Sequence, residues 1–221
     1  MDINAYQELL KELEPYGADL IAVSKNQGIG AIMELYQAGQ RMFGENKVQE
    51  LMGKQAQLPH DIAWHMIGHL QRNKVRFVAP CTTLIQGVDS QRLFDELARQ
   101  AVRQERKVEI LLQVHIATEE SKFGFSEVEL QAFFEGITLA EWGNVVIRGL
   151  MGMASNTADQ AQVYREFKGL HALYERMGRD FFAGIGGFSI LSMGMSGDYR
   201  IALDAGSNMV RVGSRLFGPR G

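Results

Sequence analysis

The feature that most constrains this chain is a rhythm. Eight short apolar runs, at residues 19–24, 41–44, 63–67, 83–87, 109–116, 145–150, 188–192 and 208–212, alternate with stretches whose apolar residues recur at helical spacing. Apolar runs this short, bounded by turn residues, read as buried strands. Strands that alternate with helices call for a parallel sheet with right-handed crossovers. Eight such units within 221 residues favour closure into a (β/α)8 barrel over an open doubly wound sheet. No GxGxxG follows the first run, so the signature of a dinucleotide fold is missing. The expectation is an α/β chain forming one domain over residues 1–221: a single (β/α)8 TIM barrel with an N-terminal helix.

The helical stretches carry their own punctuation. Residues 2–15 place Leu9, Leu10 and Leu13 on one face, and residues 29–39 place Ile32, Met33, Leu35 and Tyr36. Residues 45–57 do so with Val48, Leu51 and Met52, and a short helix follows over 70–78. Asp89 or Ser90 opens the helix to about Arg106 that carries Leu93, Phe94, Leu97, Ala101 and Val102. Ser126 and Glu129 have capping-box spacing ahead of residues 127–134. Asn156 or Thr157 opens a long helix with Val163, Phe167, Leu170, Leu173, Tyr174 and Met177 on one stripe, closed by Gly178. Ser196 is the expected cap of a helix through Ala205.

Composition narrows the partners. The net charge of -3 leaves no basic footprint for nucleic acid or an anionic membrane surface. No apolar run approaches the roughly 18 residues that span a bilayer, and the N-terminus lacks a secretory pattern. A soluble, cytoplasmic protein is expected. Cys81 is the sole cysteine, which excludes a disulfide framework and reads as a small core residue. His65 and His69 are four apart but flank a strand end instead of sharing a helix face, so no zinc site is expected.

In a barrel, chemistry gathers where strands end. That rule selects Lys25, Gly44-Glu45-Asn46, Gly68-His69, Ser192-Met193-Gly194 and Arg211-Val212-Gly213-Ser214. Lys25 leaves the first run directly; partly desolvated, its amine would be a nucleophile for an aldehyde, and otherwise it snorkels to solvent. The turns after the seventh and eighth runs combine glycines, hydroxyls and helix starts, which suits a phosphate, although tight βα turns with ordinary caps have the same spacing. Their place in the barrel favours phosphate. An aldehyde that also bears a phosphate satisfies both ends: pyridoxal 5′-phosphate does, and so does a sugar phosphate on a Schiff-base aldolase. Lys47 and Lys74 fall within helical stretches and rank below Lys25.

Several motifs taken together resemble one family. Ala22-Val23-Ser24-Lys25, Phe43-Gly44-Glu45-Asn46, Trp64-His65-Met66-Ile67-Gly68 with Leu70-Gln71-Arg72-Asn73-Lys74, Gly149-Leu150-Met151, Ser192-Met193-Gly194-Met195-Ser196-Gly197-Asp198 and Val210–Gly218 look like the pyridoxal phosphate homeostasis proteins, the YggS or proline-synthase co-transcribed family. The resemblance runs in order over nearly the whole chain. It implies a barrel like the N-terminal domain of alanine racemase, with pyridoxal phosphate held as an internal aldimine on Lys25. It places Arg211 at the pyridine nitrogen, Asn46 beside the ring, and Ser192, Met193, Ser196, Gly213 and Ser214 around the phosphate. His69 stands where the family often has proline, and His115 where it often has asparagine. Lys122 would lie on the cofactor rim.

Arginine at the ring nitrogen opposes protonation there, which weakens the ring as an electron sink and argues against a transaminase. A racemase needs an acid–base group on each face of the substrate α-carbon. By analogy the second comes from an added β domain, and only about seven residues follow Ser214 here. The expectation is therefore a protein of intracellular pyridoxal phosphate homeostasis with little or no turnover, an amino-acid racemase being the alternative. The resemblance further implies pyridoxal-phosphate-dependent apo-enzymes as recipients and a monomer or weak dimer.

Overall fold

The computed structural model describes residues 2–119, 123–136 and 142–218. Eight strands, all paired in parallel and in chain order, form a closed barrel. They are β1 (Asp19–Val23), β2 (Met42–Glu45), β3 (Ala63–Met66), β4 (Leu84–Val88), β5 (Val108–Val114), β6 (Val145–Gly152), β7 (Ile190–Met195) and β8 (Met209–Val212). Closure is made by β8 on β1, with Ile21 beside Arg211. Around the barrel lie α1 (Ile3–Leu13), ahead of the first strand, and then α2 (Ile29–Gln37), α3 (Val48–Gln55), α4 (Val75–Val78), α5 (Gln91–Arg103), α6 (Glu127–Gly136), α7 (Gln160–Phe181), α8 (Tyr199–Asp204) and α9 (Ser214–Phe217). The expected TIM barrel with its N-terminal helix is the observed fold.

Two apolar cores follow from the period of two along each strand. Leu20, Ala22, Phe43, Trp64, Ile110 and Val210 point outward and pack under the helices. Ile21, Leu84, Leu111, Met151 and Met209 point inward and fill the barrel, with Met42 and Ile190 against them. The outer core is far larger, so most of the hydrophobic stabilisation lies between strands and helices.

Register shifts on three strands change which residues face inward, the first on β4, where Ile85 pairs with Ile110 but Val88 with Leu112. On β6 the register to β5 steps from Ile110–Ile147 to Leu111–Gly149, leaving Arg148 extra. Val145 and Ile147 pack outward before it, Leu150 packs outward after it, and Met151 turns in. Gly149 permits this step: at φ 152° its α-carbon lies so close to β7 that a Cβ would stand 1.7 Å from the Ile190 carbonyl oxygen. On β7 a further irregularity separates Ser192, beside Met209, from Met195, beside Arg211.

The helix ends depart from expectation where tertiary contacts override local signals. Glu45 belongs to β2, and α3 starts three residues later than the apolar spacing suggested. The stretch 70–78 divides into a 3-10 turn, Arg72–Lys74, and the single turn α4. Gly178 does not end α7, because Phe181 and Phe182 continue it onto an aromatic cluster with Phe134 and Phe188. Asp159, not Asn156 or Thr157, caps α7 by accepting from the Gln162 amide at 3.0 Å. Asp198, not Ser196, stands before α8. Leu10, Met52 and Val102 are exposed, at the margins of faces whose centres are Leu9, Leu51 and Leu97. The Ser126–Glu129 capping box is present, with each residue bonding the other's amide at 3.2 and 2.8 Å. Among the described residues, no helix is long and apolar enough to cross a membrane.

Candidate functional site

At the C-terminal ends of the strands a cavity of ≈ 240 Å³ opens. The period that fills the barrel also lines this cavity. Val23 follows Ile21 on the inner face of β1, Ile67 follows His65, Met153 follows Met151, and Gly213 follows Arg211. These apolar walls meet Asn46, Ser196, Gly197 and Ser214, and two cations, Lys25 and Arg211. Gly68 keeps room for Asn46, since a Cβ there would lie 2.5 Å from the Asn46 carbonyl oxygen.

Lys25 is half-buried and is the second residue of a tight turn closed by the Gln27 amide on the Ser24 carbonyl at 3.0 Å. Asn26 takes the left-handed position at φ 62°, which asparagine tolerates better than most residues. Under the turn lies a buried charge cluster. Lys54 donates to the Ser24 carbonyl at 2.7 Å, to Glu45 Oε1 at 2.7 Å and to Glu50 Oε2 at 3.2 Å. Glu45 is fully buried; burial pushes its carboxyl pKa up, while bonds from Lys54 and Ser24 oppose that shift.

Arg211 forms the barrel-side floor. It is 4% exposed, and burial pulls its pKa down to about 10, so it stays charged at neutral pH. Its Nη1 donates to Ser192 Oγ at 2.6 Å and its Nη2 to the Gly152 carbonyl at 2.9 Å. Ser192 in turn donates to Gln86 Oε1 at 2.7 Å, and Gln86 Nε2 lies 2.9 Å from His65 Nδ1. Burial lowers the His65 pKa to about 4, so the ring is neutral at pH 7 and Nδ1 accepts from Gln86. The result is a one-way relay, Arg211 to Ser192 to Gln86 to His65, crossing the interior from β8 to β3.

Six of the eight residues singled out from the sequence line the cavity: Lys25, Asn46, Ser196, Arg211, Gly213 and Ser214. Ser192 and Met193 do not. Ser192 sits one layer deeper in the Arg211 relay, and Met193 points outward into the helix-side core, its amide donating to Ser207 Oγ at 3.4 Å. The β7 irregularity explains the displacement, because it makes Met195 and Ser196 the residues that reach the rim. Ser196 Oγ accepts from the Gly213 amide at 3.2 Å and so joins the two loops.

His65 and His69 face apart. His69 is on the rim, its Nδ1 2.6 Å from Asp89 Oδ2 and its ring stacked on Phe123 at 4.2 Å. His115 Nε2 contacts the Glu119 carbonyl at 2.9 Å. Lys122 lies outside the described residues. Among the described residues, no group of three His, Cys, Asp or Glu side chains is placed to hold a metal ion. Sequence reasoning missed Gln86 and Lys54, and selected Glu45 only as a residue at a strand end. For Gln86 a signal existed: it is a polar residue at an inward position of the otherwise apolar β4.

Comparison with known proteins agrees with this fold. Residues 3–221 match the family model of the alanine racemase N-terminal domain. A pyridoxal phosphate homeostasis protein of Vibrio alginolyticus is 36% identical, the match covering 93% of this chain and 88% of that protein. PipY of Synechococcus elongatus, solved without and with pyridoxal phosphate bound, is 36% identical, with TM-scores of 0.91 and 0.88. The two superpositions cover 99% and 98% of this chain, and 100% and 99% of PipY. The alanine racemase of Bartonella henselae, at 20% identity and a TM-score of 0.73, shares the fold; it covers 99% of this chain, and 60% of that enzyme is matched. The chain belongs to the pyridoxal phosphate homeostasis protein family, whose barrel is that of the alanine racemase N-terminal domain.

Proposed function

We propose that this chain binds pyridoxal 5′-phosphate through a Schiff-base linkage to Lys25 and serves cytoplasmic homeostasis of that cofactor with little or no turnover. The observation that carries the reading is the cavity itself, which brings a half-buried primary amine and a buried guanidinium into one apolar-walled pocket with hydroxyl and backbone donors. That donor set fits a flat aromatic aldehyde bearing a phosphate. When bound, the cofactor supplies an aldehyde that condenses reversibly with a primary amine and releases water.

Each residue has a distinct task in this reading. Lys25 supplies the amine. Val23, Ile67 and Met153 exclude water from the ring, and Asn46 flanks it. Ser196, Gly213 and Ser214 hold the phosphate. Arg211, whose hydrogen bonds go to a hydroxyl and a carbonyl while the Asp198 carboxylate acts on it through the field, would donate to the ring nitrogen. Because the guanidinium keeps its proton at neutral pH, it leaves the ring nitrogen unprotonated and the ring a weak electron sink. Ser192 acts through Arg211 and not on the phosphate.

Purified protein mixed with pyridoxal phosphate and reduced with borohydride tests the reading. Covalent label on the Lys25 peptide, and none in Lys25→Ala, is expected. An equally coloured and equally labelled Lys25→Ala protein refutes the assignment. Racemase activity is checked separately: deuterium from solvent entering the α-carbon of an amino acid would show turnover, and none is expected.

A further inference from the structure

Lys54 turns its ammonium inward under the Lys25 turn, with 9% of its side chain exposed. Its contacts are arranged around the two chain neighbours of Lys25. It binds the carbonyl of Ser24, the residue before Lys25, at 2.7 Å. It also binds Glu50 Oε2, and that same oxygen accepts from the amide of Asn26, the residue after Lys25, at 2.8 Å. Glu45 Oε1 takes a third bond from Lys54 and a bond from Ser24 Oγ at 2.5 Å. Both peptide neighbours of Lys25 are thus tied to one ammonium carried by α3. Glu45 Oε2, also buried, has no hydrogen-bond partner.

A buried ion pair is a poor device for stability, because desolvation offsets most of the Coulombic gain. Its use lies in fixing a geometry. The geometry here is specific: Asn26 is held at φ 62°, a conformation that a free turn leaves readily. We infer that Lys54, with Glu45 and Glu50, is a positioning cluster that locks the Ser24–Gln27 turn and presents the Lys25 amine to the cavity in a single orientation. The inference rests on the reading that Lys25 carries the cofactor. It assigns work to three residues that lie outside the cavity lining.

The test uses the full chain freed of cofactor and titrated with pyridoxal phosphate, with affinity and rate of uptake read from absorbance and folding read from melting temperature. Glu50→Ala removes the Asn26 clamp at a partly exposed site. Affinity should fall on the order of tenfold, as when a group that orients a ligand-bearing side chain is lost, while the melting temperature stays close to wild type. Glu50→Gln keeps an oxygen for the Asn26 amide and should recover most of the loss. The double variant Glu45→Met with Lys54→Met exchanges the buried pair for apolar groups, which is often neutral for stability; it should fold and still bind weakly. If Glu50→Ala and a folded double variant take up the cofactor like wild type, the cluster is merely structural and the inference is overturned. Should the double variant fail to fold, the Glu50→Ala and Glu50→Gln pair decides alone. Wild-type protein that takes up no cofactor overturns the underlying reading and the inference with it.

Discussion

Replacing Ser192 by alanine tests the interior relay and the placement of Arg211 at once. The hydroxyl accepts from Arg211 Nη1 at 2.6 Å and donates to Gln86 Oε1 at 2.7 Å, so one oxygen serves two buried groups. Arg211 is 4% exposed and Gln86 fully buried, and bulk water does not replace what is lost. Stranding a buried charged donor costs roughly 1.5–3 kcal/mol and an amide oxygen about 1 kcal/mol more. Together these come to about 3 kcal/mol, which for a chain of this length lowers the melting temperature by roughly 6–12 °C. The measurement is thermal unfolding followed by circular dichroism, on wild type and Ser192→Ala, both without cofactor at pH 7.5. The absence of cofactor is essential. A serine that contacted the phosphate directly would leave the cofactor-free melting temperature near wild type and weaken only cofactor binding. A fall smaller than about 2 °C would therefore refute the relay and return Ser192 to the phosphate.

Two further perturbations follow from the same interior. His65 has its pKa lowered to about 4 by burial, below the ordinary imidazole value of about 6.5, so the unfolded chain takes up a proton before the native one. The stability this confers is complete above about pH 6.5 and is lost as pH falls towards 4, a span worth about 3 kcal/mol. His65→Gln keeps an acceptor for Gln86 and removes that slope, so the stability difference between the two proteins, from urea midpoints, should change in favour of the variant between pH 7 and 4; a constant difference contradicts it. Gly149→Ala places a Cβ 1.7 Å from the Ile190 carbonyl oxygen at φ 152°, against backbone that cannot step aside without breaking the β6–β7 pairing. It should cost at least about 4 kcal/mol by urea titration or prevent folding, and a native-like midpoint would contradict the bulge.

The architecture was legible because it depends on a repeated local signal. Eight apolar runs separated by helical stretches leave few topologies, and closure in chain order is the simplest. The ends of strands and the residues just beyond them were legible too: Lys25, Asn46 and Gly213 line the cavity because the chain leaves a strand there, and Arg211 reaches it from the last inward position of β8. Side-chain direction was not legible where it depends on register. Ser192 and Ser196 looked alike in a glycine-rich turn, yet the irregularity in β7 keeps the first inside the barrel and delivers the second to the cavity. The same holds for Glu45 and Lys54, which fell within the helical stretch 45–57, while α3 begins beyond the first and turns the second inward.

The sequence by itself therefore determined the barrel, its N-terminal helix and the placement of the amine and the guanidinium at the strand ends, because apolar periodicity and turn chemistry are local properties of the chain. Tertiary structure alone decided which side chains share a face after each bulge, which polar groups are buried together, and how Lys25 is braced. Those depend on hydrogen bonds and desolvation between residues far apart in sequence, such as Ser24 with Lys54 and Ser192 with Gln86, and no local pattern encodes them.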